Sequence, residues 1–198
     1  MRKRVVLSLV VTTIGAFLGY RSLSGQETLD AYSFGRGAQQ GEKISPVPLN
    51  LNGNKPARLA YLGSYIVNAQ GSCNSCHTCP SYRGVDPYKT GLLPNDPTPV
   101  NTANFLGGGT PFLNGSIVSP NLTPDSSGKP GGMTYQQFKA AMQGGASAHN
   151  PGHILQIMPW PMFRNMYEND LRAVYSYLSA LPPAPSGAGQ CTAPDQTR

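Results

Sequence analysis

The sequence predicts a mainly α-helical domain with long irregular loops between its helices. Gly and Pro contribute 23 and 19 of the 198 residues, and charged residues make up only 12%. Both residue types interrupt regular structure, so this composition excludes a helical bundle, a coiled coil or a dense parallel α/β sheet. Three short segments show helical periodicity, and a long stretch without periodicity lies between the first and the second. This arrangement also indicates a few helices joined by long loops.

The helices are predicted from apolar periodicity and from end signals. Leu59, Leu62 and Ile66 lie on one stripe of the first helix. Thr134 and Gln137 form a capping box at the start of the second, and a pair of glycines ends it. The helices are expected at about 57–69, 134–144 and 168–181. The stretch from 80 to 132, rich in Gly, Pro, Asn and Thr, is expected to be irregular.

The N-terminus carries an export signal. Three cations, Arg2 to Arg4, precede a 16-residue apolar run that ends at Tyr20. This pattern is typical of a signal peptide cleaved near Ser24, or of an uncleaved membrane anchor. With Arg21, these cations account for most of the formal charge of +6, since the remainder has eleven Lys and Arg against nine Asp and Glu. Nucleic-acid binding is therefore not predicted.

Cys73, Cys76 and His77 form a Cys-x-x-Cys-His motif, the attachment signal for c-type haem. Two thiols three positions apart can add to the two vinyl groups of one porphyrin, and the following imidazole then lies beneath the iron. Covalent attachment of this kind takes place outside the cytoplasm, in agreement with the export signal. The sequence contains this motif once, so one haem c is predicted, with His77 as an axial iron ligand.

Two other interpretations of these cysteines remain open. A Cys-x-x-Cys pair can be a dithiol redox site, but no βαβ pattern surrounds it. Cys73, Cys76, His77 and Cys79 can be read as four zinc ligands. However, adjacent Cys and His residues suit one tetrahedral site poorly, and structural zinc usually uses two separated ligand pairs.

Around this motif the chain resembles the class I c-type cytochromes. The resemblance rests on the helix that precedes Cys73, on the Met158-Pro159 pair, and on the last helix with its closing prolines. More narrowly, the segments 119–125 and 158–160 resemble the cytochrome c subunits associated with bacterial membrane-bound dehydrogenases. The likeness covers roughly residues 55–183. It implies a cytochrome c-like fold whose N- and C-terminal helices cross over a haem crevice.

The resemblance also implies a second axial ligand before the last helix. Met158 fits its position and is followed by proline, so it is the preferred ligand. Met166 is the second choice, although it lies almost at the helix start. Met162, His149, His153 or an open sixth position are further alternatives. A Met thioether would favour ferrous iron and raise the reduction potential relative to a second His.

Two further residues have two interpretations each. Trp160 either packs on the porphyrin or fills the core. Asn121 either binds a haem propionate or forms a turn before Leu-Thr-Pro.

Cys79 and Cys191 are left over once haem takes the other two cysteines. In an oxidising compartment two spare cysteines often pair. A Cys79–Cys191 disulfide is therefore expected, and it would hold the C-terminal tail against the haem loop.

Together these observations predict a single-haem electron-transfer protein, not an enzyme, although it can be a subunit of an oxidoreductase complex. It would carry one electron between a dehydrogenase and an oxidase or another cytochrome of the respiratory chain. The alternatives are a haem enzyme or sensor with an open or labile sixth iron position, and a structural subunit of a dehydrogenase. The protein is expected in the periplasm, soluble or anchored to the inner membrane. The predicted organisation is a signal peptide or anchor (1–24), an extended lead-in (25–54), the cytochrome c domain (55–183) and a tail (184–198).

Overall fold

The computed structural model describes residues 34–52, 56–83, 100–185, 187 and 191. The chain divides into two compact units, Met1–Gly37 and Ala38–Arg198. Of the first unit, residues 34–37 are described, and they are helical. The predicted signal peptide or anchor lies outside the described residues.

The second unit is mainly helical, as predicted, with one small hairpin. In chain order its elements are α1 (38–44), α2 (Ala57–Tyr65), α3 (Asn74–His77), β1 (Pro111–Phe112), β2 (Ile117–Val118), α4 (Tyr135–Gly144), α5 (Trp160–Phe163) and α6 (Glu168–Ala180).

All three predicted helices are confirmed. The helix expected at 57–69 is α2, which continues as a π-helical turn, Ile66–Gln70. Helix α4 begins with the predicted capping box between Thr134 and Gln137, and it ends at Gly145 in the left-handed conformation. Helix α6 ends one residue before the predicted limit.

Helices α2 and α6 pack against each other closely because α2 has a glycine at the contact. A Cβ atom at Gly63 would collide with the carbonyl oxygen of Ala173 and would lie 2.7 Å from Cβ of Tyr177. Only glycine leaves space for the two backbones at this distance. Tyr177 is fully buried there, and the core continues through Leu171, Val174 and Leu178 of α6 to Phe138 of α4.

The lead-in before α2 is not extended throughout, which corrects the prediction for residues 25–54. Residues 34–44 are helical, since this stretch contains several good helix formers that outweigh its glycines. Gly41 of α1 lies against α2, where an added Cβ would collide with the carbonyl oxygen of Tyr61. The N–H of Asn50 donates to the carbonyl of Ala180, 2.7 Å away. Gly41 and Asn50 of the lead-in thus contact the helices that follow.

The described part of the long loop, 100–132, is mostly irregular, as predicted. β1 and β2 pair in antiparallel register with two residues each. Phe105 and Leu106 enter the hydrophobic core from this loop and are almost completely buried. The loop therefore packs on the helices through a few apolar side chains, and regular strands contribute little.

None of the helices that the structure describes has the length and apolar character needed to cross a membrane.

Candidate haem-attachment site

The attachment motif lies on one short helical turn. Cys73 is the N-cap residue directly before α3 and has helical dihedral angles, and the N–H of His77 donates to the carbonyl of Cys73 at 2.9 Å. Residues three and four apart share a helix face. The turn therefore places Cys73, Cys76 and His77 on one side, as attachment to one porphyrin and its iron requires.

Both motif thiols are free and neutral. Cys73 and Cys76 are half-buried and form no disulfide. Burial, and to a smaller extent the neighbouring Cys76, raises the pKa of Cys73 to about 12, and burial also raises the pKa of Cys76. A thioether link to each haem vinyl group forms from a free cysteine of this kind.

The ring of His77 is fixed by a backbone carbonyl. Its Nδ1 lies 3.0 Å from the carbonyl oxygen of Pro120. Because a carbonyl oxygen can only accept, Nδ1 carries the proton and Nε2 keeps its lone pair. Burial lowers the pKa of His77, and the hydrogen bond to Pro120 only partly opposes this effect. His77 is therefore a neutral imidazole with Nε2 available for a metal, and this donor set fits haem iron.

The backbone of His77 is held by a second segment of the same loop. The N–H of Gly108 donates to the carbonyl of His77 at 2.7 Å. Gly108 has φ +73°, and a Cβ there would lie 2.6 Å from the Pro120 carbonyl oxygen that accepts from His77. The absence of a side chain at Gly108 thus lets both loop segments approach His77 together.

The zinc interpretation finds no support in the described part of the chain. Cys79 forms a disulfide with Cys191, with Cα atoms 5.8 Å apart, so it is not a free ligand. Among the described residues no three His, Cys, Asp or Glu side chains are arranged to hold a metal ion. Haem iron would need only His77 from this group.

The candidates for a second iron ligand differ in how far their side chains are buried. Met158 and Met166 are both half-buried and pack against the hydrophobic core that Cys73 also contacts. Met162 is 76% exposed, and His149 and His153 are exposed in their loop. Met158 and Met166 thus share the same degree of burial, and the choice of Met158 stays a prediction from the resemblance.

Trp160 packs over the end of α4. Its indole N–H donates to the carbonyl of Leu155 at 3.1 Å, and its ring covers Gly145, where an added Cβ would lie 2.5 Å from the indole nitrogen. The contact fixes the segment that carries Met158. Asn121 forms a turn, the second of its two interpretations: its Oδ1 accepts from the N–H and the hydroxyl of Thr123.

Two contributors to the site were missed by sequence reasoning, Pro120 and Gly108. Both act through backbone atoms, and contacts of backbone atoms cannot be recognised from residue types in the sequence. The Ser-Pro-Asn segment contributed only to a resemblance, and the Gly107–Gly109 run lay in a stretch that was expected only to be irregular. The sequence contained one indication of these contacts, the three consecutive glycines. Glycine has no side chain, so such a run allows its backbone to lie close to another segment of the chain.

Comparisons with known proteins give relatives of one kind, subunits of bacterial dehydrogenases. The chain is 31% identical to the gluconate 2-dehydrogenase cytochrome c subunit of Pantoea cypripedii over 115 residues, 58% of this chain and 21% of that protein. It is 28% identical to the cytochrome c subunit of the quinone alcohol dehydrogenase of Gluconacetobacter polyoxogenes over 132 residues, 66% and 26% of the two chains. It is also 28% identical to one of the subunits of the nicotinate dehydrogenase of Pseudomonas putida over 141 residues, 71% and 10%.

No family model matches the chain. The matched segment spans about a quarter or less of the length of these relatives. The comparisons nevertheless confirm the resemblance predicted from the motifs: the chain is similar to the cytochrome c subunits of bacterial dehydrogenases.

Proposed function

We propose that this protein is a single-haem c-type cytochrome that carries one electron between a dehydrogenase and the respiratory chain. The observation that carries the proposal is the attachment turn itself. Two neutral thiols and an imidazole share one helix face, and Pro120 fixes the imidazole tautomer that leaves Nε2 free.

In this proposal Cys73 and Cys76 hold the haem covalently, His77 is the proximal ligand and Met158 the distal one. When bound, haem iron supplies a one-electron redox couple. The residues of the chain orient the ligands and limit access of water. Pro120 and Gly108 fix His77 from two sides, and Trp160 holds the segment that contains Met158. Helices α2 and α6, packed at Gly63, would close one side of the crevice.

The proposed domain limits are 55–183, preceded by a signal peptide or anchor at 1–24 and followed by a tail. The contacts of α1 and Asn50 with α2 and α6 indicate that the folded unit begins before residue 55. The proposed compartment is the periplasm, on the basis of the export signal. Because the chain outside this signal carries a small net charge, we do not expect strong electrostatic steering toward the redox partner.

Optical spectra of the protein, produced in a host that exports it and attaches haem, test the carrier role. Ferric and ferrous forms should both show the bands of low-spin, six-coordinate haem c, and the ferrous protein should not bind carbon monoxide, since both axial positions are filled. If ferrous wild-type protein binds carbon monoxide readily, the sixth position is open or labile. The haem enzyme or sensor interpretation then replaces the carrier.

A further inference from the structure

The described residues beyond α6 contact the loop that holds His77 at Ala184 and Gly187. We name its described residues, 182–185, 187 and 191, the C-terminal strap. Leu181, just before the strap, is buried, and so is Gly187. Among the described residues of the strap, Ala184 is half-buried and Gly187 is buried.

Asn121 and Thr123 bind the strap at Ala184. The Asn121 Nδ2 donates to the Ala184 carbonyl at 3.0 Å, and the Ala184 N–H donates to the Thr123 hydroxyl oxygen at 3.0 Å. The Thr123 hydroxyl in turn donates to Oδ1 of Asn121 at 2.7 Å. Both backbone polar groups of Ala184 are therefore used by two side chains that also bind each other. These side chains follow directly after Pro120.

The strap binds the second segment around His77 as well. The N–H of Gly187 donates to the carbonyl of Gly107 at 3.0 Å, one residue before Gly108. Farther along, Cys191 is joined to Cys79, two residues after His77. The carbonyl of Cys79 accepts from Nδ2 of Asn104 at 3.0 Å, so the disulfide is also connected to the loop.

The contacts of Ala184 and Gly187 end on the two segments that hold His77. The segment 120–123 supplies the acceptor for its ring, and the segment 107–108 supplies the donor for its carbonyl. The strap connects the two segments. The Pro120 carbonyl shares one peptide plane with the backbone nitrogen of Asn121, so the position of Asn121 helps to set the direction of this carbonyl.

We propose that the C-terminal strap, acting through the positioning residues Asn121 and Thr123, fixes the Pro120 carbonyl and thereby the strength of the hydrogen bond to His77. This inference rests on the proposed haem attachment. A hydrogen bond to the far nitrogen of a ligating imidazole orients the ring and increases its basicity. A looser Pro120 carbonyl would weaken electron donation to ferric iron, and the reduction potential would rise.

Thr123→Val tests the proposal because it keeps the volume of a buried side chain and removes its hydroxyl. Ser64→Ala is the matched control: Ser64 is also buried, donates to the carbonyl of Gly41 at 2.7 Å and accepts from Asn68. Both variants should unfold at lower temperature. Only Thr123→Val should raise the reduction potential and speed solvent exchange of the His77 Nδ1 proton, by roughly five- to ten-fold for a weakened hydrogen bond.

A double variant, Cys79→Ser with Cys191→Ser, releases the other end of the strap and is measured in the same way. It should shift the reduction potential and the exchange rate of the His77 Nδ1 proton in the same direction as Thr123→Val. If Thr123→Val does not fold, the double variant alone tests the proposal. If wild-type protein holds haem but these variants match Ser64→Ala in both measurements, the strap has only a structural role and the inference is wrong. If wild-type protein binds no haem, the proposed function itself fails.

Discussion

Replacement of Met158 by Ala should convert the protein from a closed electron carrier into one whose iron is open to added ligands. The near-infrared sulfur-to-iron charge-transfer band of the ferric protein should disappear completely. Carbon monoxide and cyanide should bind, and the reduction potential should fall, because the soft thioether that favours ferrous iron is lost. Near-infrared absorption, ligand titration and redox titration measure these three effects.

Met166→Ala is the matched control, since Met166 is also half-buried against the core. It should leave the band intact and lower the free energy of unfolding by about 1–3 kcal/mol, as expected for truncation of a partly buried side chain. Met162→Ala, at an exposed position, should change neither property. Survival of the band in Met158→Ala, with its loss in Met166→Ala, would assign the ligand to Met166 instead.

The second large effect is expected at Gly108. An alanine there would bring its Cβ within 2.5 Å of the Pro120 carbonyl carbon and 2.6 Å of the Asn121 nitrogen. These are backbone atoms that cannot rotate away. The positive φ adds about 1–2 kcal/mol of strain for any residue with a side chain, and the collision adds about 1–3 kcal/mol. Denaturant unfolding of Gly108→Ala should therefore show a loss of about 2–5 kcal/mol in the free energy of unfolding.

Gly128→Ala separates the two contributions. Gly128 has nearly the same φ, +75°, but an added Cβ there meets nothing within 4 Å, so this variant should lose only the backbone strain. The excess loss in Gly108→Ala then measures the contact with the Pro120–Asn121 peptide. Equal losses in the two variants would show that this close packing is absent in solution.

The helices of this protein could be predicted from sequence because local signals determine them. The capping box at Thr134 and the left-handed Gly145 were both expected from residue type alone. The attachment turn was predictable for the same reason, since the spacing of Cys73, Cys76 and His77 places them on one helix face.

The rest of the site depends on contacts between segments far apart in sequence. His77 meets Pro120 through a carbonyl oxygen, and Asn121 meets Ala184, 63 positions away, again through the backbone. No side-chain pattern identifies such partners. The helical residues before Pro46 were missed for a different reason, which is that their glycines suggested an extended lead-in. In the structure, Gly41 instead allows α1 to approach α2.

Mass spectrometry of peptides from the exported, purified protein tests the central claim most directly. We expect the peptide with Cys73 and Cys76 to carry the added mass of one haem, which acidified acetone does not remove, with one haem per chain by the pyridine haemochrome assay. A variant with both residues changed to Ser should carry none. Unmodified thiols at Cys73 and Cys76 in the wild-type protein, with all haem extracted or zinc as the bound metal, would contradict covalent attachment.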